Sequence, residues 1–478
     1  VALRNGVKMG ASLLVTWSVA LIVKLQVPAH LGPVRQGHFG FAESFAAMFF
    51  TVLGLGVDTY IVKEVAVRPK HASDVVGGVF ALRIAMSLVL FPVMGGVLWA
   101  TGRSTEILLT AMVFGLVNLL TTLNGTLGIV LNTTPRVGAA AAANIGGKIV
   151  WGAGMLIGLH YEAPLVVLAL PSLVAESLRV AVMVPANRRE ADLRYRVDVR
   201  AVRAALIESV PYFVNSLALG VLSSLGMSVL EFVRVDEREV GWFAGAQNIA
   251  YLCLLLTPLI GWVVMPLLSR TFARSEEEGI VVLRRIITGL LVVIVPITVL
   301  LSAGSDVFIH LAFGDKYAPA HTGLSILSLV FVMTYADTIL AMALIILRRG
   351  WTVTVISIGA VLVTAVLMFI LVPLGRRLIG EGGECAGAAA AVITSEACVL
   401  VAMLSSFRRF PLDASTVRAI LKTIGLGLTI LVGDRYLRSL GAGRLVVDAL
   451  FYLGAALAIG VVRIRDVGAA IHLLRAKV

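Results

Sequence analysis

Apolar runs of membrane-crossing length recur along the whole chain, and they constrain it more than any motif does. A bilayer-spanning helix needs about 20 mostly apolar residues. Runs of that kind, bounded by charges, Gly or Pro, lie near 9–30, 37–60, 76–100, 107–131, 138–160, 163–185 and 208–232, then near 242–266, 286–303, 322–346, 352–374, 386–406, 415–433 and 443–462. The first run holds a cleavage-like triplet, Ser18-Val19-Ala20, but continues past it to Lys24, so it reads as a retained helix. Hydrophobic residues make up 59% of the 478 and charged residues 14%, against about 25% charged in a soluble domain. A soluble enzyme and a disordered chain are both excluded. Outer-membrane barrels alternate apolar and polar residues instead of running long and apolar. The sequence therefore predicts an all-α polytopic membrane protein with fourteen transmembrane helices.

The net charge of +12 would suggest a nucleic-acid partner in a soluble protein. Here it sorts by side. With a cytoplasmic N-terminus, 26 of the 40 Lys and Arg fall in cytoplasmic segments and 10 on the opposite side. That bias matches the positive-inside rule. It predicts a multi-pass protein of the bacterial cytoplasmic membrane with both termini inside and no nucleic-acid partner. The three cysteines, Cys253, Cys385 and Cys398, have no metal or disulfide spacing.

Loops are short, and the longest is the Arg-rich stretch between the sixth and seventh runs. The expected organisation is a first lobe over 1–186, a basic cytoplasmic linker over 187–205, a second lobe over 206–409, and two accessory helices with a cytoplasmic tail over 410–478. Gly37-His38-Phe39-Gly40-Phe41-Ala42-Glu43-Ser44 and Gly241-Trp242-Phe243-Ala244-Gly245-Ala246-Gln247-Asn248 match in pattern. Each opens the second run of its half. Two six-span units in parallel are a transporter signature, with the substrate near the midplane between pseudo-symmetric lobes.

The stretch Leu31-Gly32-Pro33, Gly37-His38-Phe39-Gly40 and Leu53-Gly54-Leu55-Gly56-Val57-Asp58 resembles the start of bacterial Wzx-type polysaccharide flippases. These belong to the multidrug/oligosaccharidyl-lipid/polysaccharide exporter superfamily. In layout the resemblance covers the whole chain; at residue level it is strongest over about Arg4–Arg83. It implies alternating-access movement of an undecaprenyl-pyrophosphate-linked oligosaccharide, such as an O-antigen unit, from the inner to the outer leaflet. It also implies a monomer working beside polysaccharide polymerase machinery and membrane lipids. Lipid II flippases and cation-coupled multidrug extruders share the layout and remain alternatives.

An ionisable residue inside a span is costly and marks function by default. Four cations qualify, Lys24, Arg83, Lys148 and Arg179, all in the first half. At 1.5 Å per residue, Arg83 and Lys148 lie roughly 10–17 Å from their helix ends. Cations suit a lipid pyrophosphate. Asn144, Lys148 and Trp151 share one helix face at i, i+4 and i+7, and Trp17 shares a face with Lys24. These seven residues form the predicted substrate-binding set. Arg179 follows Glu176 by three residues, so an internal ion pair is the competing reading; for Arg83 it is a structural bridge to Glu43 or another acid.

Four acids are candidates for ion coupling or gating. Asp337 and Glu396 lie deep in the second half with no cation nearby on their own helices; such carboxyls can exchange a proton or ligate Na⁺. Glu43 and Asp58 read as gate residues. No P-loop, GxSxG, HExxH or strand–helix GxGxxG is present. The expectation is a transporter without catalytic residues, metal site or bound cofactor, coupled to H⁺ or Na⁺.

Overall fold

In a computed structural model the protein is described over residues 2–58, 60–61, 72–132, 138–190, 193–233, 236–408 and 410–459. The expected cytoplasmic charges Lys63, Arg68, Lys70 and Arg136, and the tail beyond 459, lie outside these residues. Among the described residues every regular element is helical.

The long helices are α1 (Ala2–Phe50), α2 (Ala72–Ala100), α3 (Thr105–Asn132), α4 (Gly138–His160), α5 (Leu165–Glu190) and α6 (Val199–Phe232). They are followed by α7 (Glu237–Leu252), α8 (Thr257–Arg274), α9 (Glu276–Ala303), α10 (Ser305–Phe313), α11 (Ala320–Leu327) and α12 (Val330–Ile346). The chain continues through α13 (Gly350–Ile379), α14 (Gly383–Ser405), α15 (Ala414–Leu437) and α16 (Arg444–Ala458). Several starts are set by capping side chains. Ser275 accepts from the Glu278 amide at 3.0 Å, and Glu276, Glu277 and Glu278 complement the α9 dipole. Asp198 caps α6, and Asp413 caps α15.

Ten helical stretches among the described residues are long and apolar enough to cross a membrane. The fourteen expected runs differ from these where helices merge or break. The first two runs lie on either side of Gly32, whose non-helical backbone (φ 71°, ψ 171°) divides α1 just before Pro33. The eighth run is split into α7 and α8 by a 3₁₀ turn over Cys253–Leu256. The last two runs are the separate helices α15 and α16, joined by a 3₁₀ turn over Arg438–Gly443. A short helix, α10, which the hydropathy pattern did not announce, buries Ile309 and Phe313.

The chain divides into two compact units, one of Val1–Ala244 with Ser357–Ala365, the other of Gly245–Ile356 with Val366–Val478. In the first, α5 packs on α3 and α4, and α1 packs on α3, α4 and α6. Its core includes Val57, Val76, Val79, Leu127, Leu131 and Met183. In the second, α9 packs on α8, α12, α15 and α16, and α14 packs on α11 and α12. Leu268, Leu283, Leu340 and Ala343 form its centre. Three glycines join α13 to α14: a Cβ on Gly375 would lie 2.0 Å from the Gly383 oxygen, and one on Gly387 2.2 Å from the Leu371 oxygen.

Candidate functional site

After α1 the backbone makes a 3₁₀ turn over Thr51–Gly54 and then two left-handed residues, Leu55 (φ 54°) and Gly56 (φ 64°). A Cβ on Gly56 would lie 2.3 Å from the Phe213 amide nitrogen, so only glycine fits against α6. Arg83 on α2, fully buried, reaches into this turn. Its guanidinium donates to the Leu53 oxygen (2.8 Å), the Gly54 oxygen (3.2 Å), the Thr122 oxygen (3.2 Å) and Thr126 Oγ1 (2.5 Å). It pairs with Asp58 Oδ1 at 3.3 Å, and Thr126 donates to the same oxygen at 2.6 Å. Arg83 is thus the tie between α2, the turn and α3. The acid it bridges to is Asp58, expected at a gate.

The remaining three cations come together on α1, α4 and α5. Lys24, Glu43, Glu176 and Arg179 all lie within electrostatic reach of Lys148. Lys24 and Lys148 both act on Glu43. The bend at Gly32 lets one helix supply both Lys24 and Glu43. Gly152 admits Val19 of α1, where a Cβ would meet Val19 Cγ1 at 2.5 Å, and Gly147 receives the Arg179 stem at 2.9 Å. These two glycines bring α4 against both neighbours. Lys148 Nζ sits 3.7 Å above the centre of the Trp151 ring, a cation–π contact. Lys24 and Glu43 are exposed, while Lys148, Trp151 and Asn144 are half-buried.

Arg179 donates to both oxygens of Glu176 at 2.7 and 2.8 Å, which is the same-helix pair weighed from the sequence. Asn124 of α3 holds the same carboxylate at 2.8 Å. Counting charges, Lys24, Lys148 and Arg179 against Glu43 and Glu176 leave one net positive charge. Trp17 is half-buried on α1 and makes no ring contact with the cluster among the described residues.

In the second unit, Asp337 of α12 and Glu396 of α14 meet side chain to side chain. Asp337 is 7% exposed. Its oxygens have no other hydrogen-bond partner among the described residues. Tyr251 of α7 bonds Gln247 and feels the Glu396 charge. The repeat position Glu43/Gln247 therefore belongs to a polar cluster in each half: Glu43 with Lys24 and Lys148, Gln247 with Tyr251 and Glu396. The two repeat segments also touch at their first residues. A Cβ on Gly241 would fall 1.7 Å from the Pro33 oxygen, and one on Gly37 would fall 3.0 Å from the Gly241 nitrogen.

Sequence reading missed several polar groups. A cavity of about 360 Å³ opens among the end of α1, its 3₁₀ turn, α3 and α6, and Asp58 lines it. The readable signal was the spacing of small or polar residues at Asn118, Thr121, Thr122 and Gly125 on α3, and at Ser216, Gly220, Ser223 and Ser224 on α6. Arg103, between α2 and α3, pairs with Glu231 of α6 and lies over the rings of Phe41 and Phe232 at 5.3 and 5.4 Å. Arg444 of α16 pairs with Asp434 of α15 at 2.7 Å and with Asp306 of α10.

No family model matches the sequence. No curated protein matches it either. Solved structures do match the fold. The lipid II flippase MurJ, in an inward closed conformation, superposes with TM-score 0.71 at 14% identity, covering 96% of this chain and 99% of that one. An inward-facing multidrug resistance MATE family transporter of the MOP superfamily gives TM-score 0.62 at 14% identity, covering 81% of this chain and 92% of that one. An outward-facing one gives TM-score 0.58 at 13% identity, covering 84% and 93%. The chain has the fold of these transporters. It is a multi-pass membrane protein of that architecture.

Proposed function

We propose that the protein is a flippase for an oligosaccharide carried on undecaprenyl pyrophosphate, moving it from the inner to the outer leaflet of a bacterial cytoplasmic membrane by alternating access. The observation that carries this reading is the cluster of Lys24, Lys148 and Arg179 on α1, α4 and α5. Intramembrane cations are costly, and three gathered at one place fit an anionic headgroup. Lys24 and Lys148 are the two without a same-helix acid one turn away, so they are the groups free to pair with phosphate oxygens. Asn144 and Trp151 flank Lys148 on the same face. Arg83, tied to the α1 turn, supports the frame instead of contacting cargo. The fold match to a lipid II flippase over nearly both whole chains supports a lipid-linked cargo.

Coupling is assigned to the Asp337–Glu396 pair, where one proton or one monovalent cation is held between two carboxyl groups. A charge crossing a 100 mV potential yields about 2.3 kcal/mol, enough for a few ions to drive a conformational cycle. A second reading, a cation-coupled multidrug extruder, is favoured by one feature: the exposed Glu43 beside the cations. Proteoliposomes decide between them. A fluorescent lipid-linked oligosaccharide should be translocated and a cationic dye should not. Dye export without lipid translocation would transfer the assignment to the second reading.

A further inference from the structure

The polar cavity beside Asp58 is not used by the headgroup cluster, and its wall is unusual for a segment that crosses a membrane. Asp58 gives Oδ1 to Arg83 and Thr126, while Oδ2 has no hydrogen-bond partner among the described residues. Its side chain is 37% exposed. Asn118 donates its amide to the Phe114 oxygen at 2.8 Å, which leaves its own carbonyl oxygen open. The hydroxyls of Thr121 and Ser216 are exposed and unbonded among the described residues. All four side chains line the same space of about 360 Å³. Polar side chains are costly within a membrane-crossing segment, so four facing one open cavity mark a place built for polar contents.

The charge balance selects the ligand class. Arg83 compensates Asp58, so the wall has no net charge and is neither a cation trap nor an anion site. The volume of about 360 Å³ argues against a single ion, and the polar wall against an apolar drug. The volume lies at the low end of the ~300–1,000 Å³ of small-molecule sites. A neutral polyhydroxyl ring fits: its hydroxyls donate to Asp58 Oδ2 and the Asn118 oxygen and accept from Thr121 and Ser216. Arg83 and Thr126, holding Oδ1, fix the carboxylate so that Oδ2 faces the cavity.

We infer that this cavity is a saccharide subsite, taking a neutral sugar of the cargo whose headgroup the cation cluster holds. The inference rests on the flippase reading. Asn118→Leu with Thr121→Val keeps side-chain size and removes two of the sugar partners.

The test measures binding of the purified full chain in nanodiscs to two probes: undecaprenyl pyrophosphate, and the same lipid bearing a neutral oligosaccharide. The wild type should bind the sugar-bearing lipid at least tenfold more tightly. The double variant should lose that advantage and bind the bare lipid as the wild type does, while Lys148→Gln weakens both lipids alike. Equal affinity of the wild type for the two lipids would overturn the subsite, as would equal loss of both in the double variant. In either case the flippase reading would stand if Lys148→Gln still weakened both. Failure of the wild type to bind either lipid would overturn the reading and the subsite together. Thr121→Val alone, with unchanged thermal unfolding, is the second variant should the double one fold poorly; it should lose part of the sugar-dependent affinity and none of the bare-lipid affinity.

Discussion

Replacing Arg83 with methionine removes one side chain from the frame that positions α1, α2 and α3, and the cost can be worked from its surroundings. Arg83 is fully buried and donates to three backbone oxygens and a threonine besides its ion pair. Removing one partner of a buried ion pair costs about 3–5 kcal/mol, mostly because the other charge stays behind unpaired. Here the remaining charge is Asp58, whose side chain is 37% exposed and keeps the Thr126 bond. That partial solvation places Arg83→Met at the low end, about 3 kcal/mol. Arg83→Lys keeps the charge but loses the forked geometry that serves the turn and Asp58 together, so it should fall between wild type and Arg83→Met. Asp58→Asn in the Arg83→Met background removes the stranded charge and should recover stability, with a coupling energy of about 1–3 kcal/mol. Equilibrium unfolding in detergent micelles, followed by tryptophan fluorescence, measures these four proteins and the Asp58→Asn single variant that closes the cycle. A loss below about 1 kcal/mol for Arg83→Met, or no coupling with Asp58→Asn, would refute the structural role of Arg83.

Gly241→Ala should destabilise by at least the ~1–3 kcal/mol typical of overpacking, since its Cβ would overlap the Pro33 oxygen; Gly96→Ala, with open space around it, is the control and should change thermal unfolding little. Arg444→Met leaves the buried Asp434 without its cation at the α15–α16 end, and denaturant titration should show a loss of about 3–5 kcal/mol. Asp337→Asn should leave binding of the lipid cargo intact while reducing gradient-driven translocation at least tenfold; equal activity with and without an imposed H⁺ or Na⁺ gradient in the wild type would remove the pair from coupling.

The apolar runs made the membrane helices legible, because a span must satisfy its backbone internally and therefore leaves a long, regular hydrophobic record. Where the record misled, local backbone geometry was the cause. A 3₁₀ turn at Cys253–Leu256 interrupts a run that stays apolar throughout. The intramembrane cations were legible one by one, since charge in an apolar run stands out. Their partners were not. Nothing in the order of residues links Arg83 to Asp58, 25 positions away beyond the turn that follows α1, or Asn124 to Glu176. The cavity was the least legible feature, because Asn, Thr and Ser at helical spacing raise no alarm until three elements converge on one space. The repeat was legible in pattern, but that its two copies meet at Gly37 and Gly241 follows only from packing.

The account centres on cations that hold an anionic lipid headgroup, and the most direct test is leaflet exchange of a fluorescent undecaprenyl-pyrophosphate-linked oligosaccharide in proteoliposomes, comparing wild type with the Lys24→Glu/Lys148→Glu double reversal. The account predicts protein-dependent exchange by the wild type and a loss of at least tenfold in the reversed protein, with its thermal unfolding preserved. Exchange at wild-type rate by the reversed protein would contradict it.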